Sequence, residues 1–121
     1  MAVTGKNDQS GAGAFIAVTP GTTVFTVAAL HIYSIGKLVI TNTDIAAAVT
    51  VSIFHIPSGG SFSGDDYVML KAFSVGASNG VGGTEDIREL AGEIFEAGDK
   101  LVIFAGTASK LKFSVSYVDN G

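Results

Sequence analysis

The clearest pattern in the chain lies near its end. From Leu111 to Val118, Leu111, Phe113, Val115 and Tyr117 alternate with Lys112, Ser114 and Ser116. A period of two marks a strand with one face on a core and the other toward water. Similar runs recur upstream at intervals of about ten residues. Thr22–Val27 is β-branched and aromatic, as strands prefer. Ile32–Thr41 follows with Gly36 inside it, which predicts a bulge or bend. In Ala48–Ile56, Val49, Val51 and Ile53 face one way and Thr50, Ser52 and Phe54 the other. The polar turn Asn42–Asp44 would join these two strands into a hairpin. Tyr67–Val75 is a further strand, and Lys100–Ala105 pairs with the last strand across the turn Gly106–Ser109. Thr84–Leu90 fits either a strand or one helical turn.

Gly-rich and Ser-rich connections separate these runs, most clearly Ser58–Asp66 and Gly76–Gly83. Ala14–Val18 is a short apolar run stopped by Pro20-Gly21. No amphipathic helix of normal length appears. Seven or eight short strands predict an all-β fold, a single antiparallel β-sandwich that is jelly-roll-like, over residues 14–121. Residues 1–13 are small and polar without periodicity, and predict a flexible N-terminal arm. Thirteen extended residues reach roughly 45 Å, enough to cross onto a neighbouring subunit.

Composition narrows the function. The chain has 121 residues, enough for one domain with its own core. Charged residues make up 15%, against about a quarter in typical domains. Mean hydropathy is +0.46. A surface this poor in charge predicts that another chain covers part of it. The net charge of −4, with Lys and Arg scattered, argues against nucleic-acid binding, which needs a basic stripe. The absence of cysteine removes disulfides and thiolate metal sites. The N-terminus lacks the basic-then-apolar pattern of a signal peptide. The uncharged stretches Gln9–Gly36 and Ile45–Gly64 are broken by Pro, Gly and Thr, so neither predicts a membrane helix.

Candidate chemistry is sparse. His31 and His55 sit at strand ends without the spacing of a zinc site and read as ordinary polar residues. Asp65-Asp66 lacks the spaced oxygen ligands of a calcium loop and reads as a solvated turn. Glu85, Asp86, Glu89, Glu93, Glu96 and Asp99 read as a solvated acidic edge. A glycosidase pair among them would need sugar-stacking aromatics, and the chain has no Trp and three Tyr. Gly80–Glu85 has glycines but no phosphate-binding Lys. No nucleophile elbow or catalytic triad is recognisable, so neither an enzyme nor a bound cofactor is expected.

Several short motifs carry a resemblance. Asn42-Thr43 ends one strand, Val49–Ser52 (VTVS) forms the next, Glu96–Asp99 (EAGD) makes a turn, and Ser114–Ser116 (SVS) lies in the closing strand. In this order the chain resembles a family of small β-sandwich virion proteins of tailed bacteriophages, over most of residues 22–121. The resemblance implies an accessory particle protein, foremost a capsid decoration or cement protein bound to the outside of the head between capsomers. A tail, neck or fibre component is the alternative, and a carbohydrate-binding module the alternative from another class. The implied partners are the major capsid protein or other virion proteins. The implied state is a homo-oligomer, with a trimer suggested by the threefold positions of capsid lattices. The implied location is the virion, after synthesis in the host cytoplasm. Lys6, Asn7 and Gln9 on the arm, Phe62 as an apolar anchor, and Asp65 and Asp66 beside it are the expected partner contacts.

Overall fold

The computed structural model describes residues 14–60, 66–78 and 83–120, and residues 3–9 by their backbone. The strands are β1 (Val3–Gln9), β2 (Thr22–Thr26), β3 (Ile32–Asn42), β4 (Val49–Ile56), β5 (Val68–Val75), β6 (Thr84–Asp86), β7 (Ile94–Phe95), β8 (Lys100–Ala105) and β9 (Leu111–Asn120). One 3-10 turn, Arg88–Leu90, separates β6 from β7. The strand order is β1-β9-β3-β6 in one sheet, with β7 also against β3, and β2-β8-β4-β5 in the other. All the pairings are antiparallel. The first strand pairs with the last, and the second with the last but one. That wrapping is an eight-stranded jelly roll, with β7 as an addition on the free edge of β3.

The alternation in the sequence sets the inner faces. Leu38 and Ile40 on β3 and Leu111 and Val115 on β9 are fully buried. So are Val51 and Ile53 on β4 and Leu101 and Ile103 on β8. At one end of this core, Phe25 lies edge-on to Tyr33 and Phe95, with ring centroids 5.1 and 5.2 Å apart. It also touches Tyr117 at 5.1 Å. The expected bulge at Gly36 is present as a register shift between Ile35 and Lys37.

The outer face of the second sheet is also apolar. Phe54, Ile56 and Val102 form a smaller buried cluster there, with Val68 and Phe104 against it. Phe54, on the Thr50–Ser52 side of its strand, is therefore buried rather than solvated. Gly21 packs over Phe104 with φ +89°, where a Cβ would lie 2.8 Å from the ring. Only glycine accepts both that backbone and that approach.

Two sequence expectations need correction. Residues 37–56 are no hairpin, because β3 and β4 lie in opposite sheets. Nor do β8 and β9 form one. Short polar connections look alike whether the chain turns back beside itself or crosses to the facing sheet. Among the main strands, only β4 and β5 are neighbours both in sequence and in a sheet. Secondly, the N-terminal segment is not wholly an arm. Val3–Gln9 forms a strand in register with β9, from Val3 opposite Asn120 to Gln9 opposite Ser114. Backbone ladder bonds need no apolar alternation, so periodicity missed this strand. The ambiguous Thr84–Leu90 is both things in turn, strand β6 and then the 3-10 turn.

Asn42 explains how the chain crosses from β3 to β4. It is fully buried. Its side-chain amide donates to the carbonyls of Ala47 (3.0 Å), Val75 (3.1 Å) and Gly76 (3.3 Å). Its Oδ1 accepts from the Asp44 amide at 2.9 Å. One side chain thus ties the β3–β4 connection to the end of β5. Replacing Asn42 with Ala strands these backbone groups and is expected to cost about 2–3 kcal/mol. Urea unfolding should show a lower midpoint at unchanged slope. Asn42→Asp should cost more, since a carboxylate would face three carbonyl oxygens.

Candidate interaction surface

Of the sequence-predicted contacts, Lys6, Asn7, Gln9 and Asp66 fall on described positions. The backbones of Lys6, Asn7 and Gln9 occupy register positions opposite Tyr117, Ser116 and Ser114, on a strand of the sheet. Phe62 and Asp65 lie outside the described residues. Asp66 is exposed in the turn before β5.

The two histidines sit at strand ends, where the sequence reading has them. Each binds a carboxylate distant in the chain. His31 Nδ1 lies 2.6 Å from Asp119 Oδ1. His55 sits between two carboxylates, with Nδ1 2.8 Å from Glu93 Oε2 and Nε2 2.8 Å from Asp99 Oδ2. Its ring stacks on Phe95 at 3.9 Å. A carboxylate only accepts, so both His55 bonds form together when the ring carries both protons.

Asp99 also accepts from the backbone amides of Ser58 and Glu96, each at 2.9 Å. One carboxylate thereby gathers the end of β4, the start of the β4–β5 connection and the β7–β8 turn. The reading of these acids as a solvated edge holds for Asp86, Glu89 and Glu96, which are exposed, and is corrected for Asp99, 8% exposed, and Glu93, half-buried on His55. The spacing from His55 to its partners is 38 and 44 residues, which no local motif could reveal.

No group of three or more His, Cys, Asp or Glu side chains that could hold a metal ion occurs among the described residues. The cluster clasps the end of β4 to the β7–β8 turn.

The connections divide by charge according to the end of the sandwich they occupy. At the clasp end, the described connections 27–31, 57–60, 66–67 and 96–99 contain Asp66, Glu96 and Asp99, with Lys100 following at the base of β8. At the other end, where Lys112 Nζ also lies 4.9 Å from the Phe15 ring centroid, the described connections 14–21, 43–48, 76–78 and 106–110 contain Asp44 and Lys110. Those two pair with each other, Nζ to Oδ2 at 3.4 Å. The protein therefore has an acidic pole and a neutral pole.

The neutral pole is rich in small and apolar side chains. Ile45, Ala46, Ala47 and Ala48 are all exposed, Ile45 at 72%. Beside them an open depression is lined by residues 15–19, Ala108 and Ser109. The Ile45–Ala48 loop is braced from beneath. Asp44 Oδ1 accepts from the amides of Ala46 (2.8 Å) and Ala47 (3.1 Å), while Asn42 holds the Ala47 carbonyl.

A second set of exposed apolar residues lies near the acidic pole. Leu30 is 93% exposed at φ +67°, and Ile32 and Ile94 lie on adjacent strands close by.

The clasp makes stability depend on acidity. Burial raises the pKa of Asp99, but bonds from His55, Glu96 and Ser58 and the charge of His55 outweigh it. The net shift is downward from 3.8. The Asp44 pKa is also lowered, first by the Ala46 and Ala47 amides. A lowered carboxylate pKa adds stability above the unfolded value, and that stability vanishes as pH falls through the folded value. Melting temperature should therefore fall as pH drops below about 4. Asp99→Asn should flatten part of that fall and lower the plateau, as read by melting curves across the acid range.

No model of a known protein family matches the chain, and no curated protein or solved structure does so.

Proposed function

We propose that the protein is a structural component of a phage virion, a capsid decoration protein that binds the outside of the head and stabilises it by packing between capsomers. The observation that carries this reading is the polarity of the molecule. A pole of small and apolar loops opposes a pole whose described connections hold Asp66, Glu96 and Asp99. Such a module packs with one end and keeps the other hydrated. Its titratable clusters support the same reading, since His31, His55, Glu93 and Asp99 are engaged with one another or with backbone.

The jelly roll is compatible with the proposal, because viral capsid proteins and lectins both use it. Fold alone does not separate them. A lectin platform needs exposed aromatic rings, and among the described residues Tyr67 is the exposed aromatic side chain. The resemblance motifs also acquire physical roles. Asn42 pins a crossing between sheets, and Asp99 closes the EAGD turn on His55. Many copies on a lattice would supply holding strength through avidity, even where each contact is modest.

Electron microscopy of particles carrying the protein tests the proposal. Copies are expected at regular positions over the head, and particles lacking the protein should rupture at lower temperature. Density confined to the neck or tail would overturn the decoration role.

A further inference from the structure

The clasp around His55 is built so that a single proton controls it. We infer that His55 is a proton-operated latch. With both ring nitrogens protonated it holds Glu93 and Asp99 together; on losing one proton it keeps Asp99, releases Glu93 and loosens the attachment of β7. This does not depend on the virion reading.

Donor count forces a choice between the two carboxylates. A doubly protonated imidazole has two N–H donors and a neutral one has a single donor. Nδ1 lies 2.8 Å from Glu93 Oε2, and Nε2 lies 2.8 Å from Asp99 Oδ2. An ionised carboxylate cannot donate in return. In the neutral ring, one of these short contacts therefore sets a nitrogen lone pair against a carboxylate oxygen. That carboxylate must move.

The surroundings decide which one moves. Asp99 also accepts from the amides of Ser58 and Glu96, and its side chain is 11% exposed. Turning it away from the ring would strand both amides, which is costly in a buried corner. Glu93 has no second hold. Its side chain bonds His55 alone among the described residues, and at 33% exposure it can turn into water. The remaining proton therefore stays on Nε2, and Glu93 swings outward. Phe95, stacked on the imidazole at 3.9 Å, keeps the ring in place meanwhile.

The other titratable groups on the surrounding elements face elsewhere. Lys100, on β8, borders Ile56 and Val102 on the outer face of its sheet. Asp66, Arg88 and Glu96 are exposed. Tyr33 packs among the aromatic rings, and His31 bonds Asp119. The proton on His55 is thus the charge to which Glu93 answers.

Release reaches β7 because Glu93 immediately precedes it. This strand is two residues long and pairs with β3 only at Tyr33–Phe95 and Ser34–Ile94. The Ile35 amide adds a bond to the Glu93 carbonyl at 3.0 Å. The His55–Glu93 bond ties the start of this short edge strand to β4 in the facing sheet. Without that tie, β7 lifts more often from the edge of β3.

Nitrogen-15 NMR of the full chain tests this, with pH raised from about 5 until the His55 ring gives up a proton. The neutral ring should carry its proton on Nε2, leaving Nδ1 bare. Over the same step, protection of the Ile35 amide against hydrogen exchange, corrected for the intrinsic rate, should fall about tenfold, as for one lost hydrogen bond. Protection of amides in the middle of β9 should hold. Glu93→Gln should abolish the step at Ile35, since a side-chain amide accepts from a protonated Nδ1 and donates to a bare one. A neutral ring protonated on Nδ1 would overturn the inference. So would Ile35 protection that stays level through the titration, or a step that persists in Glu93→Gln. Proton loss that occurs only with global unfolding would overturn it as well. Particle imaging bears on none of these readouts, so either reading can fail without the other.

Discussion

A jelly roll sends its chain from one sheet to the other at almost every connection, and that crossing is the constraint on which this structure depends. Within a sheet the ladder satisfies the backbone. At a corner it does not, and an unpaired buried amide or carbonyl costs about as much as a lost hydrogen bond. The three buried polar residues among those described, Asn42, Asp99 and Asp119, each help to hold a corner. Asn42 holds the β3–β4 crossing. Asp99 gathers the ends of β4 and the β7–β8 turn. Asp119 binds His31 in the β2–β3 connection. No buried side-chain nitrogen or oxygen among the described residues lacks a partner.

Burial of the inner faces drives the collapse, but it is indifferent to connectivity. Apolar faces such as Val49–Val51–Ile53 and Leu111–Val115 would pack in many strand orders. The corners select among them. Asn42 can bond the Val75 and Gly76 carbonyls only if the end of β5 lies beside the β3–β4 crossing. His55 can reach Glu93 and Asp99 together only if β4 ends beside β7 and the turn after it. The charge polarity follows from this topology. The connection that holds Glu96 and Asp99 and those that hold the Asp44–Lys110 pair fall at opposite ends because alternate connections lie at opposite ends of the roll.

Much of the fold was legible in the sequence. Alternation located β3, β4, β5, β8 and β9 closely, and Gly36 announced its bulge. These features are local, and period two reports them directly. Strand partners were not legible, since a polar turn such as Asn42–Asp44 serves a hairpin or a crossing equally well. β1 was missed because its pairing is carried by backbone, and VTGKNDQ has no apolar face to reveal it. The His55 clasp was missed for a different reason. Its members are far apart in sequence, and the acids around Glu93 and Asp99 look solvated until the fold closes on them. For the interaction surface, low overall charge pointed to covered surface, but only the topology showed which connections share an end.

The claim that side chains hold the corners is tested most directly by native-state hydrogen exchange. The amides of Asp44, Ser58 and Glu96 lie outside the strands and bond only to Asn42 or Asp99 side chains. The account predicts that these three exchange slowly, with protection approaching that of the β3 and β9 core amides. Exchange at the rate of freely solvated loop amides would contradict it, because the corners would then open without unfolding the sheets they are said to join.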